Sequence, residues 1–295
     1  MASRLAQLSD LLLLIWLDRR SRRNRRQYPA MAIFAHDFIG NQIAVLGRFE
    51  REELRALEPI FRAIGAGGIA VDVGANIGNH ALAFAEHFSR VECFEPNPPT
   101  FALLSLNTAG IANVGLHPVG LSSRTGEFDA FVPSANAGRA SIGSAGREEG
   151  TTVKFRLACY DDLSVADERV ALVKIDVEGH EAEALEGMKA ALMRDWPIVM
   201  FECNRKSDPT SSRLAIEKLR EIGFDRFASL RPSIAAIPEW IPRPLRMLWR
   251  TMEALARPSL RLPRLRAFHE GEAVDHPLVL ATRSGTAAAS VVGRS

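Results

Sequence analysis

One short segment in the first third of the chain places the strongest constraint on its fold. It reads Val71-Asp72-Val73-Gly74-Ala75-Asn76-Ile77-Gly78-Asn79, and it joins a strand predicted over 69–73 to a helix predicted over 79–87. Gly74 removes a Cβ where the strand ends, and Gly78 lets the next helix pack closely on the sheet. In open α/β sheets, ligands bind at the carboxyl ends of the strands. The segment therefore predicts a pocket of the nucleotide-binding type.

The other apolar runs alternate between strand-like and helix-like patterns. Further strands are predicted over 91–94, 114–121, 172–177, 198–202, 224–230 and 278–282. Further helices are predicted over 4–19, 50–64, 100–109, 181–192 and 212–222. Strands that alternate with helices indicate a mostly parallel sheet with helices on both faces. The predicted fold class is therefore α/β, with a doubly covered, mostly parallel sheet.

Composition divides the chain into four predicted parts. Residues 1–45 form a basic helix and a lead-in, 46–230 form the core, and 277–295 hold a last strand and a frayed tail over 284–295. Between them, 231–276 form a Pro/Arg-rich insertion, predicted as a lid or acceptor wall. Proline cannot continue a helix interior, so this insertion is given only one short helix, near Leu245–Leu255.

The net charge of +2 conceals two basic segments. Residues 1–26 hold seven arginines and two aspartates, and 231–270 hold eight arginines and three glutamates. Three of the four tryptophans, Trp16, Trp240 and Trp249, lie in these segments. Arginine mixed with Trp and Leu suits an anionic membrane surface or an acidic substrate, although arginine is also the common basic residue of the whole chain.

Cellular location is predicted from cysteines and from the N-terminal pattern. Cys93, Cys159 and Cys203 lie far apart, which is typical of a reducing compartment. The apolar run over 11–17 is too short to span a bilayer. Most of the nearby arginines come after this run, whereas a signal peptide carries its positive charge before its apolar stretch. We expect a cytoplasmic protein that is peripheral to the membrane at most.

The pattern after the first strand favours one kind of cofactor. Glu95 ends the next strand, 21 residues after Gly74, where folds of this type bind ribose hydroxyls. The glycine spacing is G-x-x-x-G, which lacks the central glycine that brings backbone onto a pyrophosphate. S-adenosylmethionine, a nucleoside without phosphates, fits better than a nicotinamide dinucleotide. Asp72 and the backbone from Ala75 to Gly78 then face its charged amino-acid end.

A second cluster of polar residues follows the strand predicted over 172–177. It reads Lys174-Ile175-Asp176-Val177-Glu178-Gly179-His180-Glu181. Alternate side chains of a strand share a side, so Asp176 and Glu178 are predicted to point together over the crevice. Either carboxylate, or His180, is a candidate to take a proton from a hydroxyl. Glu202, at the end of the next strand, is the fourth catalytic candidate, and no metal site is predicted.

From about Gly47 to Asn204, the chain resembles the FkbM-type S-adenosylmethionine-dependent methyltransferases. The resemblance rests on Gly47-Arg48-Phe49-Glu50, the glycine segment, Phe94-Glu95-Pro96-Asn97, Asp161-Asp162-Leu163 and the cluster over 174–181. It implies a class I methyltransferase fold, with seven strands in the order 3-2-1-4-5-7-6 and the last strand antiparallel. It also implies O-methylation of a sugar or a secondary metabolite, and it places Ser122 and Ser123 beside the adenine.

The candidate cofactor-binding residues share a place at or next to strand ends: Asp72, Gly74, Ala75, Asn76, Gly78, Asn79, Glu95, Asn97, Ser122 and Asp176. Two other readings stay open, a nicotinamide-dependent dehydrogenase and a non-catalytic membrane-surface scaffold on the same fold. The expected partner is a small-molecule or glycan acceptor. A nucleic-acid substrate is disfavoured because Asp176-Val177-Glu178-Gly179 replaces the acceptor loop of amino-methylating enzymes.

Overall fold

Twelve strands and nine helices make up the part of the chain that the structure, a computed structural model, describes. This part comprises residues 2–35, 37–133, 140–142, 149–163, 168–203, 209–231, 263–268 and 278–293. The strands are β1 (Ile69–Val73), β2 (Arg90–Phe94), β3 (Val114–His117), β4 (Gly120–Leu121), β5 (Gly126–Pro133), β6 (Ser141–Ile142), β7 (Gly150–Ala158), β8 (Val170–Ile175), β9 (Ile198–Glu202), β10 (Arg226–Arg231), β11 (Arg264–Ala267) and β12 (Leu278–Thr282).

The helices surround the main sheet. They are α1 (Ala2–Asn24), α2 (Phe38–Leu46), α3 (Arg51–Gly65), α4 (Asn79–Phe84), α5 (Pro98–Thr108), α6 (Glu181–Gly187), α7 (Lys189–Asp195), α8 (Pro209–Ile222) and α9 (Ala287–Val292). One apolar layer packs α6, α7 and α8 on one face of the sheet. The other layer packs α3, α4 and α9 on the opposite face. Both faces are therefore covered, as the alternating sequence predicts.

The main sheet has the strand order β3-β2-β1-β8-β9-β12-β10-β11. Its first five strands are parallel, and β12 runs antiparallel to both β9 and β10. This is the order 3-2-1-4-5-7-6 of the class I methyltransferase fold, with β11 added beyond the sixth position. The prediction of seven strands is corrected to eight, because part of the 231–276 segment pairs with β10. The short helix predicted near Leu245–Leu255 lies outside the described residues.

A second sheet, of order β4-β7-β5-β6, stands beside the carboxyl ends of the main strands. It corrects the single strand predicted over 114–121. Pro118 has no N–H for a ladder hydrogen bond, so pairing with β2 stops at His117. The chain then changes sheets, and Gly120 pairs with Leu157 of β7.

Two predicted helical boundaries are also corrected. The helix predicted over 181–192 breaks at Met188, whose φ of −123° is not helical. There a Cβ on Gly187 would lie 2.0 Å from the Ser122 carbonyl oxygen. The predicted frayed tail contains α9, which Thr286 caps by accepting a hydrogen bond from the Ala289 N–H at 3.2 Å. Among the described helices, none has both the length and the apolar character that a bilayer crossing requires.

Candidate active site

A cavity opens where β1, β2 and β8 end. Loops after these strands form its floor, β4, β6 and β7 of the second sheet form an apolar wall, and α2 contributes one side chain. The lining residues are Ile39, Gly74, Asn76, Glu95, Pro96, Gly120, Leu121, Ala140, Ile142, Phe155, Leu157, Asp176, Val177, Glu178 and His180. The cavity thus gathers, at one sheet edge, the polar clusters that sequence places after three separate strands.

Two backbone hydrogen bonds orient the Glu95 carboxylate at this cavity. One oxygen accepts the Asn76 N–H at 3.0 Å, and the other accepts the Asn97 N–H at 2.9 Å. Burial raises the pKa of Glu95 to about 7, against the lowering effect of these two hydrogen bonds. Each carboxylate oxygen keeps a further lone pair. A pair of vicinal hydroxyls entering the cavity would therefore find two aligned acceptors.

The turn after β1 is built by backbone contacts. Gly74 has a φ of +75°, and a Cβ there would lie 1.9 Å from the carbonyl oxygen of Asp176. Glycine at this position therefore lets the loops after β1 and β8 touch. Gly78 has a φ of +93°, and its absent Cβ gives room to Leu104 of α5 rather than to the sheet. Its role is helix packing, which corrects the closer helix–sheet approach predicted from sequence.

The buried side chain of Lys174 connects the loop after β1 with the loop after β8. Its ammonium group donates a hydrogen bond to the Gly74 carbonyl at 2.8 Å and lies 3.2 Å from Asp72 and 3.6 Å from Asp176. Burial would lower the pKa of Lys174, but the carboxylates of Asp72 and Asp176 raise it above its ordinary value. The lysine is 4% exposed and therefore acts as a buried, charged link. Lys174 begins the polar motif over 174–181, but the motif alone does not indicate this role.

Asp176 and Glu178 both line the cavity, but for a different reason from the predicted one. The strand β8 ends at Ile175, so the alternation of strand side chains does not apply to them. Glu178 instead has a φ of 49°, and the cavity residue Asn76 has a φ of 51°. Such left-handed conformations cost free energy in residues other than glycine, and they concentrate at functional sites.

His180 lies at the cavity wall beside Ser122. Its Nε2 is 2.9 Å from Ser122 Oγ, and its Nδ1 is 3.7 Å from Glu183. Burial lowers the pKa of His180, and the charge of Glu183 opposes this only in part. The lowered pKa favours the neutral imidazole, which is the form that can accept a proton. Ser122 is 2% exposed, so Gly120 and Leu121 line the cavity in its place.

The structure places several other predicted site residues away from the lining of this cavity. Asp72 is fully buried against Lys174. Asn79 is also turned inward, since its side chain binds the backbone N–H and carbonyl of Phe49 at 2.9 and 3.1 Å. Asn97 donates to Thr100 Oγ1 at 2.9 Å. Ala75 is 3% exposed, and neither it nor Glu202 lines the cavity.

Two elements that line the cavity, α2 and the second sheet, were not indicated by the sequence. Ile39 comes from α2, inside the lead-in that was separated from the core. Asn107 holds that lead-in, because its side chain bonds the Ala32 N–H at 2.6 Å and the carbonyls of Ala32 and Ile77. Phe155 and Leu157 come from β7. No local motif marks these residues, since only the tertiary fold brings them to the cavity.

Comparison with known proteins agrees with this architecture. The sequence pattern of the FkbM methyltransferase domain matches residues 72–226, just over half of the chain. The chain therefore belongs to the FkbM methyltransferase family. A hexuronic acid methyltransferase, AglP of Haloferax volcanii, is 37% identical over 142 residues, which cover 47% of this chain and 56% of the relative. The chain thus matches little more than half the length of that relative.

Solved structures that resemble the chain are more distant. An FkbM methyltransferase from Methylobacillus flagellatus KT is 21% identical, with a TM-score of 0.37, over 52% of this chain and 37% of the other. A putative methyltransferase from Streptococcus mutans, in complex with SAH, is 9% identical, with a TM-score of 0.41, over 78% and 98% of the two chains. The fold assignment rests on the strand order of the main sheet.

Proposed function

We propose that this protein transfers a methyl group from S-adenosylmethionine to a hydroxyl of a sugar acid. Family membership supports methyl transfer. The oriented Glu95 carboxylate, at the end of β2 and facing the cavity, is the observation that carries the choice of cofactor. Similarity to a hexuronic acid methyltransferase supports the acceptor class. The missing central glycine disfavours a dinucleotide cofactor.

Different residues of the cavity fit different parts of the cofactor. Glu95 would accept hydrogen bonds from the ribose hydroxyls, and Leu121, Phe155 and Leu157 would pack against the adenine. Asp176, exposed beside Gly74, would attract the ammonium of the methionine end. When bound, the cofactor supplies a methyl group already activated on a sulfonium.

The protein then has two tasks, to position the acceptor oxygen and to receive its proton. Positioning alone can lower the activation free energy of a reaction between two bound groups by about 7–11 kcal/mol. Glu178 is proposed as the proton acceptor, because its exposed side chain lines the cavity at the loop after β8. Glu178 would orient the acceptor hydroxyl toward the activated methyl group and would take the hydroxyl proton as the oxygen is methylated. His180 is the second candidate for this role.

Removal of the Glu95 carboxylate tests the cofactor assignment. Hydrogen bonds to a charged group contribute about 1.5–3 kcal/mol, so Glu95→Ala is expected to weaken S-adenosylmethionine binding by about 10- to 100-fold. Calorimetric titration of the wild type and the variant measures this difference. Asp129→Ala, which removes an exposed carboxylate from β5, is the matched control and should bind like the wild type. A folded wild type that does not bind the cofactor would refute the proposal.

The raised pKa of Glu95 also predicts a pH dependence of cofactor binding. Only the ionised carboxylate offers acceptors to both ribose hydroxyls, and with a pKa of about 7 its ionised fraction rises as the pH increases. The affinity is therefore expected to increase about tenfold between about pH 6 and pH 8. Glu95→Gln, which does not titrate, should bind weakly and show a flat profile. The same slope in Glu95→Gln would assign the titration to another group.

Turnover identifies the acceptor. Incubation with methyl-labelled S-adenosylmethionine and a glucuronic acid glycoside should give a methyl ether that mass spectrometry locates on a ring hydroxyl. The matched neutral glycoside, which has a hydroxymethyl group in place of the carboxylate, should react more slowly. Equal rates would still support methyl transfer, but they would contradict a preference for a sugar acid as the acceptor.

A further inference from the structure

The helix α1 has two unlike faces. Its inner face contacts α2, since Arg20 Nε and Asn24 Nδ2 donate to the Val45 carbonyl at 2.9 and 3.1 Å. Leu17 and Ser21 are half-buried on the same side. The outer face carries five large apolar side chains that are 43–58% exposed: Leu8, Leu11, Leu12, Ile15 and Trp16. Residues spaced three and four apart share one side of a helix, so these five form a continuous apolar surface.

Arginines continue this outer face toward the end of the helix. Arg19, Arg22 and Arg23 are exposed and follow the apolar residues at the same helical spacing, and Arg25 and Arg26 come directly after them. Only Asp10 and Asp18 oppose this charge within α1, and Asp18 is paired with Arg22 at 2.9 Å. The outer face is therefore apolar over its first half and strongly cationic over its second half.

We propose that the outer face of α1 binds the surface of an anionic lipid bilayer. Leucine, isoleucine and tryptophan side chains can enter the boundary between headgroups and acyl chains, while arginines contact lipid phosphates. Anionic headgroups attract each nearby arginine by a Coulomb interaction that falls away within a Debye length. The helix α1 packs on α2, and α2 supplies Ile39 to the cavity. Only α2 therefore separates the membrane-binding helix from the candidate active site.

The charge distribution favours a bilayer over a second copy of this chain. Two outer faces packed together would bury their leucines, but α1 offers only two acidic residues to the arginines of the other copy. Like charges would then face each other across the contact. An anionic bilayer satisfies both halves of the face at once, since it supplies an apolar layer and a layer of negative charge.

Sedimentation with lipid vesicles tests this proposal. The 295-residue protein is expected to sediment with vesicles of equal parts phosphatidylcholine and phosphatidylglycerol, and more weakly with phosphatidylcholine alone. Added salt should weaken the binding. The pair Arg19→Gln and Arg23→Gln removes two surface charges and should weaken binding to the anionic vesicles by about thirtyfold. The pair Leu11→Ser and Ile15→Ser should weaken it by about a hundredfold.

Matched variants elsewhere on the surface make the test specific. Arg156→Gln with Arg169→Gln removes the same charge from exposed positions away from α1, and Leu106→Ser removes an exposed leucine from α5. Both should bind vesicles like the wild type, and every variant should keep the wild-type unfolding transition. A wild type that stays in solution with anionic vesicles would overturn the proposal. So would equal losses in the matched variants, or self-association that only the Leu11 and Ile15 pair abolishes.

Discussion

Lys174→Met is expected to lower the free energy of unfolding by about 3–5 kcal/mol, because it leaves the Asp72 carboxylate buried without a counter-charge. Methionine keeps most of the volume of lysine, so the loss reports charge rather than packing. Asp72 is fully buried, and its carboxylate lies 3.2 Å from the lysine ammonium. Urea unfolding of the wild type and the variant at the same pH measures the difference.

The double variant Lys174→Met with Asp72→Asn separates the buried charge from other causes. If the loss arises from an unpaired carboxylate, removal of that charge should restore a large part of the stability. Cofactor affinity should not recover with it, since the double variant still lacks the hydrogen bond to the Gly74 carbonyl. A single variant as stable as the wild type would show that Lys174 does not hold the two loops.

The fold was predictable where burial leaves a local signal. The strands β1 and β9 have the predicted bounds, because each is an uninterrupted buried run next to glycine or proline. The strand β5 has no such run, since six of its eight positions are exposed or half-buried. The second sheet was therefore missed. Its contribution to the cavity depends on tertiary contacts that no short sequence pattern records.

Site residues were predictable by location more readily than by role. The strand ends pointed to Gly74, Glu95, Asp176, Glu178 and His180, and the structure brings all five to the lining of one cavity. Asp72 has the same kind of location, yet its side chain points into the core and meets Lys174. Which of these acids faces solvent depends on where a neighbouring strand places a lysine, and that neighbour lies about 100 residues away in sequence.

Glu178→Gln is expected to lower kcat for the sugar acceptor by about 10²–10⁴-fold, since an amide cannot receive the hydroxyl proton. Cofactor affinity should stay near the wild-type value, because Glu178 is proposed to act on the acceptor. Steady-state transfer of a labelled methyl group at saturating substrates measures kcat, and calorimetry measures the affinity. His180→Asn is the comparison. A larger loss of kcat in that variant would indicate that the imidazole, rather than Glu178, receives the proton.

Glu178→Gly distinguishes a functional constraint from a structural one. Glycine accepts the φ of 49° that Glu178 adopts, so relief of strain and the greater freedom of the unfolded chain nearly cancel. The free energy of unfolding should therefore change by less than about 1 kcal/mol, while methyl transfer is lost as in Glu178→Gln. A strained residue that can be replaced without loss of stability, but not without loss of turnover, is held in place for catalysis. If Glu178→Gly unfolds the protein while Glu178→Gln retains full kcat, the strained turn shapes the loop and the proton leaves by another group.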